Sequence, residues 1–272
     1  MIDEIGRVTF IGTATTLLRL GEFTLLTDPN FLHRGQRAYL GYGLSSRRLT
    51  NPAARIEDLP PLDAVLLSHL HGDHFDRVAR RKLARYVPII TTPPAERRLQ
   101  RWGFQGADGL ATWESRELAR GRQRLRITAV PGQHGPTGVQ RLLPPVMGSV
   151  LDLEQDGQRR LRLYLTGDTL YRPALAQIPQ RFPDIDVMLL HLGGTRILGV
   201  LLSMDARQGL DLVQMIRPQL AVPIHYDDYR VFRSPLRHFL AGAERWGLRG
   251  VIRPIARGQT ITLPARSLAG SG

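Results

Sequence analysis

The sequence predicts an α/β fold in which two β-sheets pack between helices. Three observations lead there. Short β-rich runs recur from the N-terminus and are punctuated by glycine. Wholly apolar runs such as Ala64-Val65-Leu66-Leu67 read as strands buried on both faces. Segments with helical spacing separate these strands, and no linker composition divides the chain, so residues 1–272 read as one domain.

In chain order, strands are expected at 7–11, 15–20 and 23–27, with Gly12 and Gly21 as turn residues between them. Residues 30–60 mix Gly, Arg, Tyr and Ser without a sustained period and read as a long active-site rim. A buried strand at 63–68 follows, then a helix at 76–86 and a short strand at 87–91 that Pro93-Pro94 closes. A helix covers 95–102. Strands follow at 125–130, 148–153, 161–165 and 187–190. The helix at 205–216 is stopped by Pro218, since proline cannot continue the hydrogen-bond ladder. A buried strand at 220–224, a helix at 235–246 and a strand at 258–263 complete the chain.

Composition narrows the function. The 272 residues include no cysteine, which excludes disulfides, thiolate metal sites and a cysteine nucleophile, and is compatible with a reducing cytoplasm. The N-terminal MIDEIGRVTFIG lacks the basic and apolar regions of a signal peptide, and no window reaches the length of a membrane span. Thirty-seven Lys+Arg against 24 Asp+Glu give a formal charge of +13, nearly all of it arginine. Such a surface attracts anions. The arginines at 80–81, 97–98, 120–126 and 159–162 are scattered beside apolar partners and read as solvated faces, not as one nucleic-acid-binding stripe.

Chemistry concentrates in Ser68-His69-Leu70-His71-Gly72-Asp73-His74-Phe75-Asp76. His69 and His71 are two apart, so on extended backbone they point the same way. Gly72 permits a tight turn that brings Asp73 and His74 round. His134 lies just past one strand, Asp168 just past another, and His225 ends a third. Ligand sites of α/β sheets gather at such strand ends. Imidazoles and carboxylates without thiolate suit Zn²⁺, with Mn²⁺ or Fe²⁺ as alternatives. The seven candidates His69, His71, Asp73, His74, His134, Asp168 and His225 exceed one tetrahedral ion and suit two, with a carboxylate between them. Two ions about 3.5–4 Å apart can generate a hydroxide and clamp an oxyanion.

The pattern His69-x-His71-x-Asp73-His74, with His134, Asp168 and His225 following in order, resembles the metallo-β-lactamase superfamily over nearly the whole chain. Thr27-Asp28-Pro29 and the segment 57–65 are similar to the branch with N-acyl-phosphatidylethanolamine phospholipase D-like, RomA-type and ascorbate-phosphate lactonase proteins. The resemblance implies a four-layer αββα sandwich and two metals. His69, His71 and His134 would hold the first metal, Asp73, His74 and His225 the second, with Asp168 between. The missing cysteine departs from many true β-lactamases and argues against antibiotic hydrolysis.

Around this set, Asp28 is a candidate acceptor for the spare N–H of a ligand histidine. Asp73, Asp168 and His191 are the catalytic candidates, His191 as an acid for the leaving group. Tyr39, Tyr42, Arg47 and Arg48 are candidates for the rim, and Tyr226 with its neighbours Asp227, Asp228 and Tyr229 for the pocket lining. His33 and His238 stay outside the chemistry. The expected activity is hydrolysis of a phosphodiester or other anionic, lipid-like ester. A lactonase is the second enzymatic reading, and a non-catalytic metal- or anion-binding protein the reading from another class. Nucleic acid is not the expected partner, and a homo-oligomer stays open.

Overall fold

A computed structural model describes residues 4–264. Strands β1 (Glu4–Gly12), β2 (Thr15–Leu20) and β3 (Phe23–Thr27) form an antiparallel meander. The segment from 28 to 60 is not structureless. It contains a hairpin of β4 (Arg37–Gly41) and β5 (Leu44–Arg47) and one 3₁₀ turn at Ile56–Asp58. The hairpin alternates exposed Arg37 and Tyr39 with buried Ala38 and Leu40, a period of two over too few residues to stand out in the sequence.

Strands β6 (Ala64–Leu66), β7 (Ile89–Thr91) and β8 (Ala107–Gly109) then join β3 in parallel. Helices α1 (Arg77–Lys82) and α2 (Pro93–Arg101) connect them. Helix α1 ends four residues before the expected limit, because Leu83 turns extended and sends its side chain into the core. Pro93 and Pro94 do more than close β7. They open α2, where a missing N–H costs nothing.

The second sheet runs β9 (Ser115–Arg120), β10 (Gln123–Pro131), β11 (Met147–Gln155) and β12 (Gln158–Leu165), all antiparallel. Strand β9 is an edge strand with almost no buried side chain, so no apolar alternation announced it. After the short helix α3 (Gln177–Arg181), β13 (Val187–His191) joins in parallel. A small sheet is built from β14 (Gly193–Ile197) and β15 (Val200–Leu201), with helix α4 (Ala206–Ile216) following. Arg217 adopts the left-handed conformation just before Pro218, ending α4 where expected. Strand β16 (Leu220–Ile224) completes the second sheet, and β17 (Phe232–Ser234) joins the small one. Helix α5 (Leu236–Arg245) and β18 (Thr260–Pro264) follow, the latter pairing with β1.

The resulting sheets have the orders β18-β1-β2-β3-β6-β7-β8 and β16-β13-β12-β11-β10-β9. Three apolar clusters show the layering. Val8, Phe10, Leu18 and Leu25 meet Ile127, Leu151 and Leu163 between the sheets. Leu26, Val65 and Ile89 face α1 and α2 through Ala79 and Leu99. Met188, Leu190 and Ala221 face α3, α4 and α5 through Ile178, Leu210, Val213 and Phe239. This is a four-layer αββα sandwich, as the sequence resemblance implied. Among the described residues, no helix is long and apolar enough to cross a membrane.

Two local devices attach the 28–48 segment to the first sheet. Asp76 caps α1 by accepting from the Val78 and Ala79 N–H groups, while its other oxygen accepts from Leu32 at 2.6 Å and from Phe31. Gly72 accepts the hairpin directly: a Cβ there would stand 2.6 Å from the Tyr39 carbonyl oxygen and 2.7 Å from its nitrogen. The tight turn expected at Gly72 is present, with the His74 amide donating to the His71 carbonyl at 3.0 Å, but the glycine's φ is not positive and the residue is needed there for the close backbone approach. Gly72→Ala should push the hairpin away, cost about 2 kcal/mol of stability, and speed tryptic cleavage at Arg37 or Arg47. Unchanged unfolding and cleavage rates would refute this account of the hairpin's attachment.

Candidate metal centre

Strands β3, β6, β10, β12, β13 and β16 end at one edge of the sandwich, and the candidate residues follow their last positions. His69, His74 and His225 have no measurable exposure; His71, Asp73, His134 and Asp168 are also buried. His69 Nε2 lies 3.0 Å and His134 Nε2 3.3 Å from His71 Nδ1. His225 Nε2 lies 3.6 Å from an Asp73 oxygen. Asp168 lies 3.5 Å from His74 Nε2 and 3.4 Å from His225 Nδ1, and it reaches the first group through His69, since ligand atoms of His69, His74 and Asp168 lie within 4.8 Å of one another. The structure thus brings together all seven side chains that the sequence singled out.

The ring orientations have identifiable causes. Asp28 accepts from the Ser68 amide at 2.7 Å and hydroxyl at 3.0 Å, and from His74 Nδ1 at 3.1 Å. The Ser68 hydroxyl in turn lies 3.0 Å from His69 Nδ1. His134 Nδ1 donates to the Leu202 carbonyl at 2.9 Å and His225 Nδ1 to the Leu192 carbonyl at 3.1 Å. In these rings the Nδ1 side is tied to the scaffold, so the Nε2 lone pair is presented inward. Backbone strain contributes too: His225 has φ 62° and Asp28 φ 35°, conformations that side-chain-bearing residues adopt rarely and that are held by tertiary contacts.

Electrostatics divide the imidazoles into two sets. Burial lowers the His69, His71 and His134 pKa values, His71 to about 3, so these rings are neutral at pH 7. Burial also opposes charge on His74 and His225, but Asp168 and its companion carboxylates outweigh it and raise both. The carboxylates are held ionised: Asp28 falls to about 2 despite its burial, through His74 and His191, and Asp73 and Asp168 are lowered in the same way. Asp73 Oδ1, His74 Nε2, Asp168 Oδ1 and His225 Nε2 are buried without a hydrogen-bond partner. Burying such groups unpaired is costly. A divalent cation fits the donor set, because the nitrogens and oxygens of each of His69/His71/His134, His69/His74/Asp168 and Asp73/His74/His225 lie within 4.8 Å of one another.

Other candidates are placed differently. His191 is 1% exposed, with Nδ1 3.2 Å from Thr166 Oγ1 and Nε2 3.5 Å from Asp28. Its ring stacks on that of His74 with centroids 6.1 Å apart and lies 5.8 Å from that of His225, so it borders the Asp73/His74/His225 group. Arg48 is wholly buried and not on the rim: it donates to the Asn30 carbonyl and side chain and faces Asp228 at 3.6 Å. Asp228, offered by the sequence for the pocket lining, is equally buried and accepts from the Thr13 amide at 2.7 Å. Tyr229 is buried with its hydroxyl on Asn30, and Tyr226 packs against Phe10. Arg47 is exposed and is not among the residues that line the opening. Tyr39 and Tyr42 do border it, lining a cleft of about 720 Å³ that reaches His71. His33 and His238 lie outside the cluster. The sequence reading missed Ser68 and Thr166 as orienting groups, and the cleft residues of α1 and α2. Short polar residues next to a ligand motif, and Arg77/Arg80 at a spacing of three, were the available signals.

A four-layer sandwich with a buried imidazole–carboxylate cluster at its strand ends defines a metal-dependent hydrolase. Residues 24–226 match the beta-lactamase superfamily domain, and the chain belongs to that superfamily. A metal-dependent hydrolase of Nanoarchaeum equitans is 24% identical over 202 residues, covering 72% of this chain and 85% of that protein. The N-acyl-phosphatidylethanolamine-hydrolyzing phospholipase D 1 of Caenorhabditis elegans is 25% identical over 233 residues, which span 81% of this chain and 64% of that enzyme's length. In fold, the chain is similar to an isothiocyanate hydrolase from Delia radicum gut bacteria, with TM-score 0.80, 22% identity, and coverage of 95% of this chain and 100% of that one.

His74 and His225 are raised and His69, His71 and His134 lowered, so the ring protons that a cation must displace sit on the first pair. Zinc titration into chelated protein at pH 7 should release protons, and affinity should fall as pH drops. Calorimetry in buffers of different ionisation enthalpy measures this, and identical heats in all buffers would contradict it.

Proposed function

We propose that the protein hydrolyses a phosphodiester or other anionic ester with two divalent cations, zinc in the first instance. His69, His71 and His134 hold one cation and Asp73, His74 and His225 the other, with Asp168 shared between them. The observation that carries this reading is the pair of separate donor groups, each within 4.8 Å, and a third set, His69/His74/Asp168, that joins them through the Asp168 carboxylate. When bound, the cations supply an acidified water as nucleophile and positive charge against the developing oxyanion.

The chain's own residues do the rest. Asp73 Oδ1, buried and without a partner, is the group that takes the proton of the attacking water. Asp28 fixes the His74 ring from behind, and His191 and Thr166 steady Asp28 from the other side. The cleft beside His71 is bordered by arginines, which favours an anionic substrate over a neutral lactone. Its volume suits a small molecule, and we read the partner as such, not as nucleic acid. Residues 1–272 act as one cytoplasmic hydrolase domain in this reading.

Asp168→Ala should remove bound metal and lower turnover of bis-p-nitrophenyl phosphate by at least about a thousandfold; full activity in that variant would end the two-cation account. Asp28→Asn should keep the fold yet lower metal affinity or activity by about 10–100-fold, read by metal analysis alongside rates. Faster turnover of a lactone panel than of the phosphodiester would transfer the assignment to the lactonase class.

A further inference from the structure

Of the clustered side chains, His71 is the one that lines the 720 Å³ cleft. Beyond it the wall passes over Leu70 and Trp102 and carries Arg77 and Arg80 of α1, Arg98 of α2, and Arg141. Several surface arginines pair with carboxylates, among them Arg55 with Asp58, Arg116 with Asp108, Arg120 with Asp63 and Arg257 with Asp227. None of these four, nor Arg37, the fifth arginine of the lining, has a carboxylate partner among the described residues. Asp76, the acid in the lining, is engaged by four backbone N–H groups.

The arginines are also held together. The Arg80 guanidinium lies 4.1 Å from the Trp102 ring centroid and that of Arg98 5.3 Å from the same ring. One indole therefore gathers two like charges from two helices, where solvated side chains would spread apart. An oxyanion between them would relieve the repulsion through charge-assisted hydrogen bonds. Leu70 and the indole supply apolar surface between that point and His71.

We propose that the cleft selects an amphiphilic anion: a single small molecule whose oxyanion rests on Arg80 and Arg98, with Arg77 and Arg141 beside it, and whose apolar chain or ring lies over Leu70 and Trp102. Its scissile ester is thereby delivered to His71. The proposal deepens the hydrolase reading and rests on it for the word substrate. Binding itself can be measured without turnover.

Octyl phosphate, inorganic phosphate and octyl glucoside are titrated below their micelle-forming concentrations, following tryptophan fluorescence. The zinc-loaded and chelated proteins are compared. Octyl phosphate should bind at least tenfold more tightly than either other probe in both forms, with the fluorescence change absent in Trp102→Phe. Arg80→Gln combined with Arg98→Gln should weaken octyl phosphate at least tenfold and leave octyl glucoside unchanged, while Arg80→Lys with Arg98→Lys keeps most of the affinity. Equal affinity for the three probes, a signal that survives Trp102→Phe, or a glutamine pair that binds like the parent would overturn the proposal, as would a lysine pair no better than the glutamine pair. If these results hold while Asp168→Ala remains active, the cleft stands and the two-cation reading falls. If arginine dependence is missing while Asp168→Ala is inert, the reverse is true.

Discussion

Three ionised carboxylates, Asp28, Asp73 and Asp168, lie within a region that solvent scarcely reaches. Burial alone would protonate them, since taking charge out of water raises a carboxylate's pKa. They stay ionised because imidazoles surround them. The carboxylates in turn raise His74 and His225, so a proton on either ring supplies compensating charge. The same electrostatic demand makes the edge of the sandwich a cation site, because a divalent ion answers it better than two protons do. The ring orientations, the strained backbone at Asp28 and His225, and the buried atoms without partners all follow from holding this cluster together.

The sandwich is what makes such a cluster affordable. Six strand ends converge on one edge, and each delivers a residue from a different stretch of the chain. Behind them the scaffold supplies carbonyls of Leu192 and Leu202, the Ser68 hydroxyl and Asp28, each fixing one ring. A second buried polar group, Arg48 with Asn30, Asp228 and Tyr229, ties the 28–48 segment to the turn after His225. Breaking one member would leave the others buried and unpaired. The hairpin that shapes the cleft thus rests on the same part of the structure that presents His225.

Much of the site was legible because metal ligation demands particular residue types at short spacing. His69, His71, Asp73 and His74 declare themselves in six positions, and His134, Asp168 and His225 mark strand ends that apolar runs had already located. What went unread has physical reasons. The exposed edge strand at 115–120 carries no apolar alternation. Arg48 and Asp228 look like solvated charges in a sequence, since only tertiary packing shows that they bury one another. His191 sits at a strand end like the cluster members, and only packing shows that its ring stacks on His74 while its Nε2 lies 3.5 Å from Asp28.

The sequence by itself determined the layers and the donor set, because side-chain periodicity and ligand chemistry are properties of neighbouring residues. Only the tertiary structure decided which nitrogen each imidazole turns inward, that Gly72 serves a backbone approach from Tyr39, and that Arg80 and Arg98 both contact the Trp102 ring. Those outcomes depend on contacts between segments far apart along the chain, whose distances and angles are set when the sheets and helices pack.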